Sequence, residues 1–187
     1  LWVEALDDGD PKKDAEHRDR VMTHAAPFAA VPSLLTRVEH RFTDIAWTSE
    51  AGRALVSEYD RDRRWTRTSL HDFGEGTESK TPPKVLIDRS VRDAYGDPGR
   101  PVYDERPDGT FVVPVDAGSI FLSGRGASAE GYRPFLQKMS LSDGATTRVF
   151  ESGADEYASF VDFGGSREDL VVWKESPKQV PNLHMVA

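Results

Sequence analysis

Ala54-Leu55-Val56-Ser57-Glu58-Tyr59, a charged tip from Asp60 to Arg64, and Trp65-Thr66-Arg67-Thr68-Ser69-Leu70 are the stretch that decides the fold. Two runs rich in apolar, aromatic and β-branched residues flank a tip of hairpin length, which reads as an antiparallel pair. Upstream, Ile45-Ala46-Trp47 leads into a turn at Glu50-Ala51-Gly52. Downstream, a polar loop from Gly74 to Pro83 leads into Lys84-Val85-Leu86-Ile87-Asp88. Four short strands in succession predict a self-contained antiparallel sheet.

The same grammar extends in both directions. Pro101 to Arg106, Thr110 to Asp116, Ser119 to Ser123, Phe135 to Leu141 and Thr147 to Glu151 read as strands. Their turns are Pro107-Asp108-Gly109, Asp116-Ala117-Gly118 and Ser142-Asp143-Gly144, each closing on a glycine that tolerates positive φ. Phe111, Val112, Val113 and Val115 predict a strand buried on both faces. A further group opens with Tyr157 to Phe163 and Asp169 to Lys174, and Leu183 to Ala187 reads as strand. On the other side, Leu1 to Leu6, His17 to Thr23 and Ser33 to Val38 look like the end of an earlier group. The best helical candidate is Asp14 to Ala26, where Val21, Met22, Ala25 and Ala26 make a poor apolar stripe.

Each group closes on a similar strand: Leu34 to Val38, Val85 to Arg89, and Thr147 to Phe150. The step from Leu35 to Leu86 is about 51 residues and that from Leu86 to Phe150 about 64. A four-stranded unit recurring at roughly 40 to 50 residues, with loop insertions, is the signature of β-propeller blades; a plain β-sandwich is the alternative on pattern alone. The fold class read here is all-β, an arc of about two complete four-stranded antiparallel blades plus two partial ones. The divisions are 1–43 for the end of one blade, 44–93 and 94–153 for two blades, and 154–187 for the start of a further one. Too few blades to close a ring, a first residue that is not methionine, and strands running to both ends predict a segment cut from something longer, with no signal peptide before its first strand.

Composition narrows the function. Of 187 residues, 24 are Lys or Arg and 32 Asp or Glu, a formal charge of −8. A field of that sign repels phosphate backbones and counts against nucleic-acid binding. No apolar run approaches the roughly 18 to 20 residues of a membrane-spanning helix, so no membrane partner is expected. The absence of cysteine excludes a disulfide scaffold, thiolate catalysis and cysteine-ligated zinc; the compartment stays open.

Trp2-Val3-Glu4-Ala5-Leu6-Asp7-Asp8-Gly9-Asp10, Tyr95-Gly96-Asp97-Pro98-Gly99-Arg100-Pro101 and Gly124 to Leu136 resemble, in order, segments of the glutamyl endopeptidase branch of the prolyl oligopeptidase family of serine peptidases. Ala54 to Leu70, Lys174-Glu175-Ser176-Pro177 and Pro181-Asn182 fit the same pattern. Gly164-Gly165-Ser166-Arg167 and Leu183-His184 depart from it. The resemblance implies a parent with an N-terminal β-propeller and a C-terminal α/β-hydrolase domain carrying a Ser, Asp, His triad. This chain would supply later blades and stop before the hydrolase, its partners being that domain and peptide substrate.

The residues themselves offer little catalytic chemistry. No Gly-x-Ser-x-Gly elbow occurs, and Gly164-Gly165-Ser166-Arg167-Glu168 lacks the final glycine; no peptidase activity is expected of the chain alone, and no catalytic residue is assigned. Gly124, Gly126 and Gly131 are not spaced as a phosphate loop and read as a tight β-to-β connection. His17, His24, His40, His71 and His184 show no ligand spacing. His71-Asp72 reads as a strand-end pair before a catalytic dyad, and Asp7-Asp8-Gly9-Asp10 lacks the closing Glu of a calcium loop. No metal and no cofactor are assigned. The cluster Arg61-Asp62-Arg63-Arg64-Trp65-Thr66-Arg67 stands out as a positive tip in an acidic chain. It reads as an exposed charge ladder with Asp60 and Asp62, or as a place where guanidinium groups face the hydrolase or hold an acidic side chain. Arg63 and Arg64 are the substrate-binding candidates. The rival function is a stand-alone β-domain for protein interaction or ligand binding. A carbohydrate-processing propeller ranks last, since the carboxylates sit mostly in turns.

Overall fold

The computed structural model describes residues 1–74, 78–79 and 81–186. Among them no helix forms. Strands β1 (Trp2–Ala5), β2 (Asp19–Thr23) and β3 (Ser33–Val38) make one antiparallel sheet in that order. Strands β4 (Arg41–Trp47), β5 (Arg53–Asp60), β6 (Trp65–Asp72) and β7 (Lys84–Ser90) make a four-stranded meander, also in chain order. Residues 75–77 and 80 of the loop before β7, part of the stretch read from Gly74 to Pro83, lie outside the described residues.

The next meander is interrupted twice. It uses β8 (Arg100–Pro101), leaves for a two-stranded pair of β9 (Asp104–Glu105) and β10 (Phe111–Val112), and returns at β11 (Ser119–Gly124). A second excursion, β12 (Ala127–Ser128) paired with β13 (Gly131–Tyr132), precedes β14 (Phe135–Ser140) and β15 (Thr146–Glu151). The resulting sheet runs β15-β14-β11-β8. Last come β16 (Tyr157–Phe163), β17 (Leu170–Ser176) and β18 (Gln179–Val186), in that order.

Two compact units contain these sheets. The first comprises Leu1–Arg92 with Tyr103–Val115, the second Asp93–Val102 with Asp116–Ala187. In the first, Val21, Leu35 and Val38 meet Ala54, Val56 and Phe73, with Phe42, Ile45 and Trp47 packed against them. In the second, Phe121 and Leu136 meet Leu170 and Val172, flanked by Phe150, Phe160 and Phe163. Consecutive residues Ala54, Leu55 and Val56 of β5 are all buried, as are Ile120, Phe121 and Leu122 of β11. Side chains alternate between faces along a strand, so these central strands are covered on both.

The strand read over His17 to Thr23 forms as β2, in place of the poor helical candidate Asp14 to Ala26, with Val21 and Met22 bonded on both sides by β1 and β3. Two readings need correction. Thr110 to Asp116 is not a central strand. Only Phe111 and Val112 pair with β9, and Pro114 offers no N–H to continue a ladder. Val113 is nonetheless fully buried, because its N–H donates to the Trp47 carbonyl and its carbonyl accepts from Ser49 N at 2.8 and 2.9 Å. Pro101 to Arg106 splits between two sheets, β8 tolerating a proline because it is an edge strand.

Candidate functional site

The β5–β6 hairpin carries the candidate arginines. Asp60 pairs with Trp65 across its mouth, leaving Arg61 to Arg64 as the tip. The Asp60 carboxylate accepts the backbone N–H groups of Asp62 and Arg63 at 3.0 and 3.2 Å, a side-chain substitute for a backbone turn. Arg64 turns the chain with φ 53° and accepts the Val91 N–H at 3.0 Å.

Arg63 and Arg64 part company at this tip. Arg63 lines a polar cleft of about 280 Å³ together with Lys12, Lys13, Arg18, Glu39, His40, Asp60 and Asp62; Arg64 does not line it. The Arg63 side chain is 53% exposed, 3.8 Å from Asp60 Oδ2, and its guanidinium lies 4.9 Å from the centre of the Trp65 ring. Trp65 is oriented in turn by donating its indole N–H to Asp88.

Two other cations of the cleft, Arg18 and Lys13, have structural employment, as does Arg41 of β4. Arg18 donates to Asp7 at 2.6 Å and to the carbonyls of Asp10, Pro11 and Lys13, which folds the loop after β1 around it. Lys13 pairs with Asp8. Arg41 joins Asp7 and donates to Asp19 at 2.5 Å, while the other Asp19 oxygen takes the Phe42 N–H at 2.8 Å. The acidic run Asp7-Asp8-Gly9-Asp10 is thus engaged by guanidinium and ammonium groups, and it forms no group of three metal-ligating side chains among the described residues.

Beneath the cleft, Arg67 on β6 donates to Glu39 at 2.6 Å and lies 3.7 and 3.5 Å from Glu58 and Asp88. The hydrogen bond from Arg67 holds the Glu39 carboxyl below its ordinary range against the opposing effect of burial. Burial works against the charge on Arg67, but the Glu39 bond and the charges of Asp88 and Glu58 outweigh it and raise its pKa. Buried Glu58 also accepts the His40 N–H at 2.7 Å, and His40 Nε2 comes within 3.7 Å of Glu39. Sequence reading places Arg67 in the hairpin cluster and His40 among the histidines, but not their grouping with Glu39, which depends on the β3–β4 turn meeting β6. The one local sign is Arg67, a charge placed inside a strand.

Residues considered for catalysis occupy ordinary structural positions. Ser166 sits in the β16–β17 connection, donating to Asp169 at 2.9 Å and accepting the Glu168 N–H. His71 is buried and stacked on Phe73 with ring centres 5.3 Å apart, its Nδ1 without a hydrogen-bond partner among the described residues. Burial depresses its pKa to about 4. Asp72 is exposed and accepts the Gly74 N–H; adjacent strand residues face opposite ways. The Gly-rich run is a β-to-β connection: at Gly126 a Cβ would lie 1.8 Å from the Arg133 carbonyl oxygen, and φ is 62°.

Two four-stranded antiparallel meanders and two three-stranded sheets, none closed on itself, define an all-β chain of partial β-propeller type. Its sequence is similar to glutamyl endopeptidases, which bears out that resemblance. A probable chloroplastic glutamyl endopeptidase of Arabidopsis thaliana is 34% identical over 165 residues, covering 84% of this chain and 17% of the plant protein. The counterpart in Oryza sativa subsp. japonica is 34% identical over 163 residues, covering 83% and 17%. The chain therefore spans 17% of the length of these relatives. No family model matches. Among solved structures, TolB from Acinetobacter baumannii aligns with a TM-score of 0.42 and 19% identity over 94% of this chain and 36% of TolB.

Proposed function

We propose that this chain is the non-catalytic β-propeller portion of a serine peptidase of the prolyl oligopeptidase family, similar to glutamyl endopeptidases. It gates and binds peptide substrate for a C-terminal α/β-hydrolase domain outside these residues. The observation that carries the reading is 34% identity to glutamyl endopeptidases across 84% of the chain. On this reading the chain divides into blades at 1–43, 44–93, 94–153 and 154–187; the three- and four-stranded sheets come in that order, with β4 beginning at Arg41 rather than at residue 44. Acyl transfer from a serine, with a histidine as base, then belongs to the hydrolase domain.

Within this reading Arg63 and Arg64 contact substrate. Arg63 is the better placed, because it is half exposed on a polar cleft and its one ion pair among the described residues, to Asp60, is a loose 3.8 Å. A guanidinium so held exchanges a weak internal partner for an incoming carboxylate at small cost. The test is steady-state cleavage by the full-length protein carrying Arg63→Ala or Arg64→Ala. Loss of a charge-assisted hydrogen bond predicts about a tenfold rise in KM for peptides with an acidic side chain, with kcat nearly unchanged. Unchanged KM in both variants overturns the arginine assignment.

A further inference from the structure

We propose that a groove in the second unit docks an extended polypeptide segment bearing a lysine or arginine side chain. The inference goes beyond the peptidase reading and does not rest on it. The groove holds about 1170 Å³ and opens to solvent. Tyr132 at the end of the β12–β13 hairpin forms one wall, and Asp155, Tyr157, Glu175 and Pro181 contribute to the remainder. Tyr157 and Glu175 are direct cross-strand partners of β16 and β17, so ring and carboxylate project from the same face side by side.

Three features specify the occupant. First, Asp155 and Glu175 make no ion pair among the described residues, whereas neighbouring Glu156 is taken by Lys174. Those two carboxylates face one lining cation, Lys178, so the groove is complementary to positive charge. Secondly, Tyr132 and Tyr157 are both exposed, offering rigid amphipathic area and π faces suited to a cation. Tyr132 already receives the Arg125 guanidinium at 4.2 Å from its ring centre. Thirdly, the groove exceeds the roughly 300 to 1000 Å³ of small-molecule pockets and is too open to bury one. A chain segment lying along it satisfies size and charge together.

The test measures binding without cleavage. The 187-residue chain is titrated into fluorescent, end-capped Gly/Ser/Pro peptides that differ only in carrying one Lys, one Glu or neither, and anisotropy is followed at low salt. The Lys peptide is expected to bind about tenfold more tightly than the Glu peptide, a preference reduced by added salt. Asp155→Asn with Glu175→Gln should remove the preference, and Tyr132→Ala should weaken the Lys peptide. Glu16→Gln, an exposed acid of the first unit, reports general charge attraction and should change nothing. Melting temperature checks that each variant is folded, and single replacements substitute for any that is not. Equal binding of Lys and Glu peptides overturns the proposal. So does a preference that survives in the Asp155→Asn, Glu175→Gln chain, or competition by a second copy of the chain that excludes the peptide.

Discussion

Burial of His71 against Phe73 ties stability to pH. Its folded pKa of about 4 lies below the ordinary histidine value near 6.5, so the unfolded chain binds the proton first as pH falls. Stability is therefore full above about pH 6.5, declines through the interval, and levels off below about 4, with a loss of roughly 3 kcal/mol from this group. Urea midpoints measured from pH 7 to 4 should fall in the parent and fall less in His71→Leu. A second residue-scale prediction concerns Arg41, which joins the first two sheets through Asp7 and Asp19. Replacing it with methionine leaves the buried Asp19 carboxylate without its cation and should cost roughly 3 kcal/mol in equilibrium unfolding. Neither environment is legible from local sequence. His71 beside Asp72 has the look of a dyad, and only strand register turns one inward and the other to solvent. Arg41 and Asp7 are far apart in the chain and meet only once β4 lies against the first sheet.

Elements were more legible than side-chain groupings. The runs around Ala54 to Tyr59 and Trp65 to Leu70 appear as β5 and β6, extended by one or two residues, because apolar packing and the Asp60 turn both specify the hairpin. Thr110 to Asp116 misleads because an apolar run marks burial, not membership of a central strand: Val112 pairs with Asp104 of β9, and Val113 is bonded to Trp47 and Ser49 at the β4–β5 turn. The Gly-rich run was readable for the converse reason, since closely spaced glycines signal backbone approach whatever the surrounding sheet. At Gly126 the approach and the positive φ coincide. Gly126→Ala should destabilise by more than about 1 kcal/mol and open the β12–β13 hairpin, visible as faster amide exchange at Arg133.

At the scale of the whole molecule, the last sheet buries Leu170 and Val172 on one face and presents Leu183 and Met185 on the other, at 52% and 63% exposure, beside half-exposed Trp173. Apolar area of this kind drives association. Sedimentation of the chain should show concentration-dependent self-association that Leu183→Ser with Met185→Ser reduces. The central claim, that this segment serves a serine peptidase without carrying its chemistry, is tested most directly with a fluorophosphonate probe of serine nucleophiles. The full-length protein should be labelled at one serine outside residues 1–187, and the 187-residue chain should remain unlabelled. Stoichiometric labelling of a serine within these residues, or a folded full-length protein that takes no label, would contradict it.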